Sequence, residues 1–328
     1  MSKLRLFIRY GYVPLMMLGV NGVALWLIAS GQSYFWTAAA MLFGAIGFSF
    51  VAEQILPYEE SWNSSHEDAG KDVAHAAVYE IQNINGTLLL PVIAMLRPWD
   101  GYWPTHWPLL LQSLFAVVVT DIGLTLLHYI SHKLPLLWRL HAIHHGVHRV
   151  YGFNGFIRHP LHQIVDLTLS SLPLALLGMP VDVAVLLGLA VSVQLLVQHS
   201  NVDYDLGPLQ PWLSIGPIHR LHHVNWAGEG DVNFGLFFTF WDRMLGTLRL
   251  PKDAPRPKPG DIGVEGQPAF TQHYLEQLLW PFKPQSAVAA SEAIAAEAAG
   301  PASARNSSSH QNSATYTRSP NPGSGAAE

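Results

Sequence analysis

Long apolar runs alternate with short polar stretches along this chain of 328 residues. The first run extends from about Tyr12 to Ala29, behind Lys3, Arg5 and Arg9, and the second from about Phe35 to Val51. Only the uncharged stretch Ser30-Gly31-Gln32-Ser33 separates them. Each is long enough to cross a hydrocarbon core of ~30 Å as a helix, so the pair reads as a transmembrane hairpin. A signal peptide is the alternative for the first run; its length and the second run directly behind it favour a membrane helix.

Residues 52–75 are acidic and polar, with Glu53, Glu59, Glu60, Glu67, Asp68 and Asp72, and Pro57 marks a loop. Residues 76–96 begin with Glu80, Gln82, Asn83 and Asn85 and end in the apolar stretch Leu88–Leu96, a third membrane segment with Glu80 at its interface. The Trp- and Pro-rich stretch from Arg97 to Pro108 suits the headgroup level of a bilayer. A further apolar helix spans Leu109–Ile130, and runs at Leu161–Leu177 and Val181–Val197, broken by Gly178-Met179-Pro180, read as a second hairpin. Residues 270–282 read as a short interfacial helix behind an exposed Pro/Lys-rich loop.

The pattern predicts an all-α, polytopic membrane bundle of about four transmembrane helices plus the second hairpin, with a histidine-rich helical cap. The basic residues ahead of the first helix place the N-terminus inside. Lys133, Arg139, Arg149, Arg158, Arg220, Arg243 and Arg249 fall on the same side in this topology, so the cap and both termini are expected to be cytoplasmic. Four regions follow. Residues 1–107 hold the N-terminal hairpin, the acidic loop and the third membrane segment, and residues 108–250 the catalytic domain. Residues 251–284 form the exposed loop and interfacial segment. Residues 285–328, rich in Ala, Ser, Glu, Pro and Asn, form a disordered tail.

Composition agrees with a membrane protein. Only 12% of residues are charged, 49% are hydrophobic, and the mean hydropathy is positive. There is no Cys, which excludes disulfides, thiolate-bound zinc and Cys-ligated iron–sulfur clusters. A net charge of −5 gives no support to nucleic-acid binding.

The candidate chemistry is histidine. Twelve of the seventeen His lie between His128 and His223. His128 and His132 form an HxxxH; His141, His144 and His145 form an HxxHH, as do His219, His222 and His223. On a helix, residues three and four apart share a face, so each box points two or three imidazoles at one spot. Eight such nitrogens are too many for one ion and suit two. Imidazole suits iron, copper, zinc and nickel, so ligand type alone does not choose the metal. A lone HxxxH is usually an ordinary surface feature; three boxes in one chain are not.

His199 joins the candidates from its own helix end, and His148, one turn beyond His144, His159 and His162 stand nearby. Asp121, Thr125, His128 and His132 share one helical face, so Asp121 is placed to hydrogen-bond a ligating imidazole. A polar residue satisfied by a neighbouring helix is the alternative. Asn201, Asn225 and Asn233 are placed to orient ligands or to cap turns.

The boxes, their order and their surroundings resemble the fatty acid hydroxylase / sterol desaturase superfamily of membrane di-iron oxygenases. Arg158-His159-Pro160 resembles that family's Arg-x-His-Pro, and His199-Ser200-Asn201 its His-Ser-Asn. Asn233-Phe234-Gly235 through Trp241-Asp242-Arg243-Met244-Leu245-Gly246-Thr247 resembles its closing segment. The likeness covers roughly residues 110–250. Where the family often carries Glu shortly after His-Pro, this chain has His162.

The resemblance implies two iron ions, O2 as co-substrate, and hydroxylation or desaturation of a fatty acyl chain, sterol or lipid headgroup. No haem-binding cytochrome domain is evident in the chain, so a separate electron-transfer protein is implied. Three rivals remain. A bis-His haem protein needs His pairs facing across helices, which HxxHH does not provide. A zinc hydrolase needs only about three ligands. A non-enzymatic membrane metal-binding or metal-transport protein places its ligands at the bilayer midplane, whereas these boxes lie at helix ends and in polar loops.

Overall fold

A computed structural model describes residues 1–267 and 270–284. All regular elements among the described residues are helical, joined by three isolated β-bridges. The first apolar run belongs to a helix that begins earlier than the pattern predicts, where the Ser2 hydroxyl accepts from the Arg5 N–H. It comprises α1 (Lys3–Pro14), a π-helical stretch Leu15–Val20, and α2 (Asn21–Ala29). Pro14 has no N–H to donate and its ring crowds the preceding turn, which accounts for the widened backbone that follows. After a turn through Gly31 at φ 85°, α3 (Tyr34–Ile55) completes the first hairpin.

The acidic loop is short, because α4 (Ala69–Leu88) starts well before the expected segment and is followed by α5 (Leu90–Leu96). Next come α6 (Leu109–Lys133) and α7 (Pro135–His145), then α8 (Pro160–Ser170) and α9 (Leu172–Leu177). Pro135 and Pro160 occupy first turns, where the missing N–H has no partner to lose. The run expected as one arm of the second hairpin is thus two short helices, broken at Ser171, with Pro173 in the first turn of α9. The other arm is α10 (Val181–His199). Short helices α11 (Gly216–His219), α12 (Phe240–Leu245) and α13 (Tyr274–Leu279) complete the chain.

Four helical stretches are long and apolar enough to cross a membrane: Lys3–Ala29, Tyr34–Ile55, Leu109–Lys133 and Val181–His199. The first three expose large apolar side chains along one side, among them Leu18, Trp26, Phe43 and Leu126. In contrast, α10 is mostly buried and packs on α3, α6 and the 3-10 turn Gly152–Phe156, so it forms the core. Gly155 makes that contact close: a Cβ there would lie 2.6 Å from the Leu195 carbonyl oxygen.

Polar side chains tie the loops to this core. Glu53 accepts from the backbone N–H groups of Gly152 and Asn201 at 2.9 and 3.1 Å. Arg149 grips the Asp68 carboxylate with two bonds of 2.7 Å and donates to the Trp62 carbonyl. Residues 1–283 cluster as one unit. The tail expected to be disordered from Gln285 lies outside the described residues.

Candidate metal centre

The nine candidate histidines converge, and they sort into two groups. His128, His132, His141, His145 and His222 form one; His144, His199, His219 and His223 form the other. Within each group one ring nitrogen per residue lies within 4.8 Å of the rest. Each HxxHH therefore serves both groups rather than one. In α7, His141 and His145 are four apart and point one way, while His144 points the other. The last box splits for a different reason: α11 ends at His219, and the following turn carries His222 back toward the first group.

Outer partners fix the rings. His128 Nδ1 donates to the Phe234 carbonyl at 2.8 Å, His222 Nδ1 to the Val232 carbonyl at 2.7 Å, and His132 Nδ1 to Asp231 Oδ1 at 2.9 Å. In the second group, His144 Nδ1 donates to the Ile157 carbonyl and His199 Nδ1 to the Leu195 carbonyl, both at 3.1 Å. A donating Nδ1 leaves Nε2 as the lone-pair nitrogen, the tautomer that ligates metal.

Those Nε2 atoms are orphaned. In His128, His132, His145 and His222 the buried Nε2 has no hydrogen-bond partner, and in His141 neither ring nitrogen has one. In the second group, the Nε2 atoms of His199, His219 and His223 form a triangle with edges of 3.1, 3.1 and 3.2 Å. Three ring nitrogens cannot all donate to one another. A cation bonded to each at about 2.1 Å fits the triangle and satisfies all three at once. The residues therefore fit a two-metal site.

The boxes outside the membrane helices are also in the right protonation state. Burial holds His141, His144, His145, His219, His222 and His223 well below the usual imidazole pKa, and neighbouring histidines add to the effect. Neutral imidazole is the form that binds metal.

The remaining candidates lie around the groups. Asp121 touches no imidazole; its carboxylate accepts from the Phe237 N–H and Trp241 Nε1, both at 2.7 Å, so a distant segment rather than a ligand satisfies it. Asn233, at φ 57°, donates to the carbonyls of Ile218 and Arg249 and fastens the closing segment behind the last box. Asn201 joins His199 to the acidic loop through Glu59 and Asn63. His162 is buried against the His141 ring but bonds Ser131 Oγ and Asp166. His159 caps α8, His148 is exposed, and Asn225 donates to the Gly260 carbonyl; none of the three is in either group.

Three contributors escaped the reading of the sequence as partners of named groups. Asp242 accepts from the N–H groups of Phe234 and Gly235 and so sets the carbonyl that His128 uses. Asp166, four residues after His162, carried a same-face signal. Ser131, between the two histidines of the first box, carried none.

Beside the groups lies a cavity of about 430 Å³. Its wall runs along one face of α10, through Ala184, Leu187, Gly188, Val191 and Leu195, and is completed by α4, α5, α6, α8 and α9. A smaller cavity shares Leu124, Arg158, Asp166 and Leu236 with it and also touches His128, His144 and His219. An apolar chamber thus narrows toward the histidines, the form of a site for an apolar substrate.

The family model for fatty acid hydroxylase matches residues 113–247. The chain is 34% identical to the ornithine lipid hydroxylase OlsE of Rhizobium tropici, over 70% of this chain and 71% of that protein. It is 31% identical to the alkylglycerol monooxygenase of Danio rerio, over 48% of this chain and 33% of that protein. It is 30% identical to methylsterol monooxygenase 1 of Rattus norvegicus, over 46% of this chain and 51% of that protein. No solved structure matches. With its membrane-length helices and paired histidine groups, the chain belongs to the fatty acid hydroxylase family, as an integral membrane oxidoreductase.

Proposed function

We propose that this lipid oxygenase holds one iron ion in each histidine group and uses O2 to hydroxylate or desaturate a C–H bond of a membrane lipid. When bound, ferrous iron supplies electrons to O2 and an oxidant for an unactivated C–H bond, which no side chain provides. The protein's own part is to keep imidazoles neutral, fix their rings through Asp231 and backbone carbonyls, exclude water, and aim the lipid. The observation that carries this reading is the set of buried, partnerless Nε2 atoms beside the apolar cavity.

His128, His132, His141, His145 and His222 are assigned to one ion, and His144, His199, His219 and His223 to the other. Asp121, Asn201 and Asn233 hold the surrounding backbone, and residues 108–250 carry the catalytic unit. The relatives named for ornithine lipid, alkylglycerol and methylsterol support a substrate with a polar end and an apolar body. The cavity is walled in part by α4, α5, α8 and α9, which expose Ile81, Ile84, Leu88, Ile164 and Leu169 and so suit contact with the bilayer. The basic-residue distribution supports a cytoplasmic centre, and electron delivery is assigned to a separate electron-transfer protein.

A metal transporter is disfavoured because the histidine groups lie at helix ends and in the following turns rather than at the middle of the membrane-length helices. Anaerobic purification with elemental analysis, and lipid mass spectrometry of cells with and without the gene, test the reading. Two irons per chain and a lipid heavier by one oxygen or lighter by two hydrogens are expected. One metal or none in the folded protein refutes it.

A further inference from the structure

Arg158 stands where the apolar cavity meets the smaller one beside His128, His144 and His219. Among the described residues lining the cavity it is the only cation, and Asp166 is the only acid. Its guanidinium is poorly matched. Its one ion pair is to Asp166 Oδ2 at 3.5 Å, and its side chain makes no hydrogen bond to any described residue. The two fully buried arginines are engaged: Arg149 by Asp68 and the Trp62 carbonyl, Arg220 by the carbonyls of Ser200 and Val202. A guanidinium has five N–H donors, so Arg158 keeps most of its donors spare in a largely buried place.

The surroundings hold the backbone at Arg158 in place. The Arg158 carbonyl is bonded by His75 Nδ1 at 3.2 Å, and His159 beside it caps α8. Asp166 is fixed from behind by His162, whose other nitrogen bonds Ser131. Away from the histidines the lining carries no charge, with Ile93, Leu172, Met179 and Ala184 beside Asn85, Thr87 and Ser171. Ala184 lies fifteen residues before His199 on α10, roughly 22 Å along the helix axis. The chamber therefore has a charged end at the histidines and an uncharged, largely apolar end far from them.

We propose that Arg158 anchors a carboxylate of the substrate's head, with Asp166 taking an adjacent ammonium, so that the lipid lies head-first at the histidines. This rests on the lipid-oxygenase reading above and adds the orientation: oxidation falls near the polar head, and the tail lies along α10 toward Ala184. A planar guanidinium matches a carboxylate through two parallel hydrogen bonds, and the dry setting strengthens both. Asp166, otherwise a poor companion for an anion, accounts for the second charge of an amino-acid head.

The test uses the full-length, metal-loaded protein in lipid nanodiscs and measures binding of N-palmitoyl-ornithine and its methyl ester by tryptophan fluorescence. The free acid is expected to bind about tenfold or more tightly than the ester. Arg158→Gln should bring the acid down to the level of the ester while ester affinity and iron content stay unchanged. Arg158→Lys should recover only part of the preference, since it restores charge without the fork. If Arg158→Gln does not fold, Asp166→Asn serves: it should keep the acid-over-ester preference and lose the preference for N-palmitoyl-ornithine over N-palmitoyl-norvaline, which lacks the amine. Equal affinity for acid and ester in the native protein, or a preference that survives Arg158→Gln, overturns the anchor. Intact discrimination without oxidation of any lipid overturns the oxygenase reading and leaves the anchor standing.

Discussion

Trp241 Nε1 donates to Asp121 Oδ2 at 2.7 Å, joining residues 120 positions apart. The other oxygen of Asp121 accepts from the Phe237 N–H, so one carboxylate on α6 clamps the closing segment to the helix that carries His128 and His132. The clamp matters because the Phe234 carbonyl in that segment receives the Nδ1 proton of His128.

Asp121→Asn keeps one acceptor but sets an NH2 group against a buried donor. A cost of about 1–3 kcal/mol in stability is expected. Metal affinity should fall by roughly 10–100-fold rather than vanish, as for residues that orient a ligand from behind. Melting temperature and iron content of the purified variant check both. Full loss of iron would mean that Asp121 itself reaches the metal.

The split boxes make a sharper statement. His222→Ala removes a nitrogen from the five-histidine group and His223→Ala one from the four-histidine group, although the two are adjacent. Each variant should lose turnover, and each should retain close to one metal per chain rather than none. The double variant should retain neither. Spectroscopy of the two half-loaded proteins should differ, since the remaining group has a different number of imidazoles. Identical spectra, or loss of both ions from either single variant, would show that the groups are not separate.

The ionisation of the cap sets a pH dependence. His141, His144, His145, His219, His222 and His223 are held below the ordinary value of 6.5 in the fold, chiefly by burial. Below about 6.5 the unfolded chain binds protons that the folded chain does not, so stability falls as pH drops and is flat above that value. Each such histidine contributes about 1.4 kcal/mol per pH unit in that window. Metal-free protein, prepared with a chelator, should melt at steeply lower temperature between pH 6.5 and 5 and at constant temperature above pH 7. A flat profile down to pH 5 would place the rings in water.

What the sequence discloses is set by range. The HxxxH and HxxHH spacings are local, and helical geometry turns them into shared faces; the apolar runs likewise mark three of the four membrane-length helices closely. The assignment of each histidine to one group or the other is not local. It depends on α11 ending at His219, on the turn that follows it, and on the Val232 carbonyl that holds the His222 ring toward the first group. Asp121 shares a face with His128, which made an imidazole its natural partner, yet its partners come from Phe237 and Trp241. The break at Ser171 was hidden because apolar residues recur on both sides of it, from Leu161 to Leu169 and from Leu172 to Leu177. Pro173 was the signal for it, since a proline has no N–H to bond the carbonyl four residues back and so starts a helix more readily than it continues one.

Gly188 offers a test of the cavity that leaves the metal centre alone. It sits within α10 on the cavity wall, and a Cβ placed there meets nothing within 4 Å. Gly188→Ala should be stabilising by about 0.5–1 kcal/mol, because alanine gives up less backbone freedom in a helix and the space is open. Gly188→Phe should fill the chamber instead. It lies three turns before His199 on α10, so the ring would block the path of a long tail without touching an imidazole. Iron content and melting temperature should match the native protein. Turnover of long-chain lipids should fall by roughly tenfold or more while shorter-chain analogues remain substrates, since a bulky group in an apolar pocket discriminates by about 1–3 kcal/mol. Chain-length profiles of the product, taken by mass spectrometry for the native, Gly188→Ala and Gly188→Phe proteins, decide the matter. An unchanged profile in the Phe variant would mean that the lipid tail lies elsewhere.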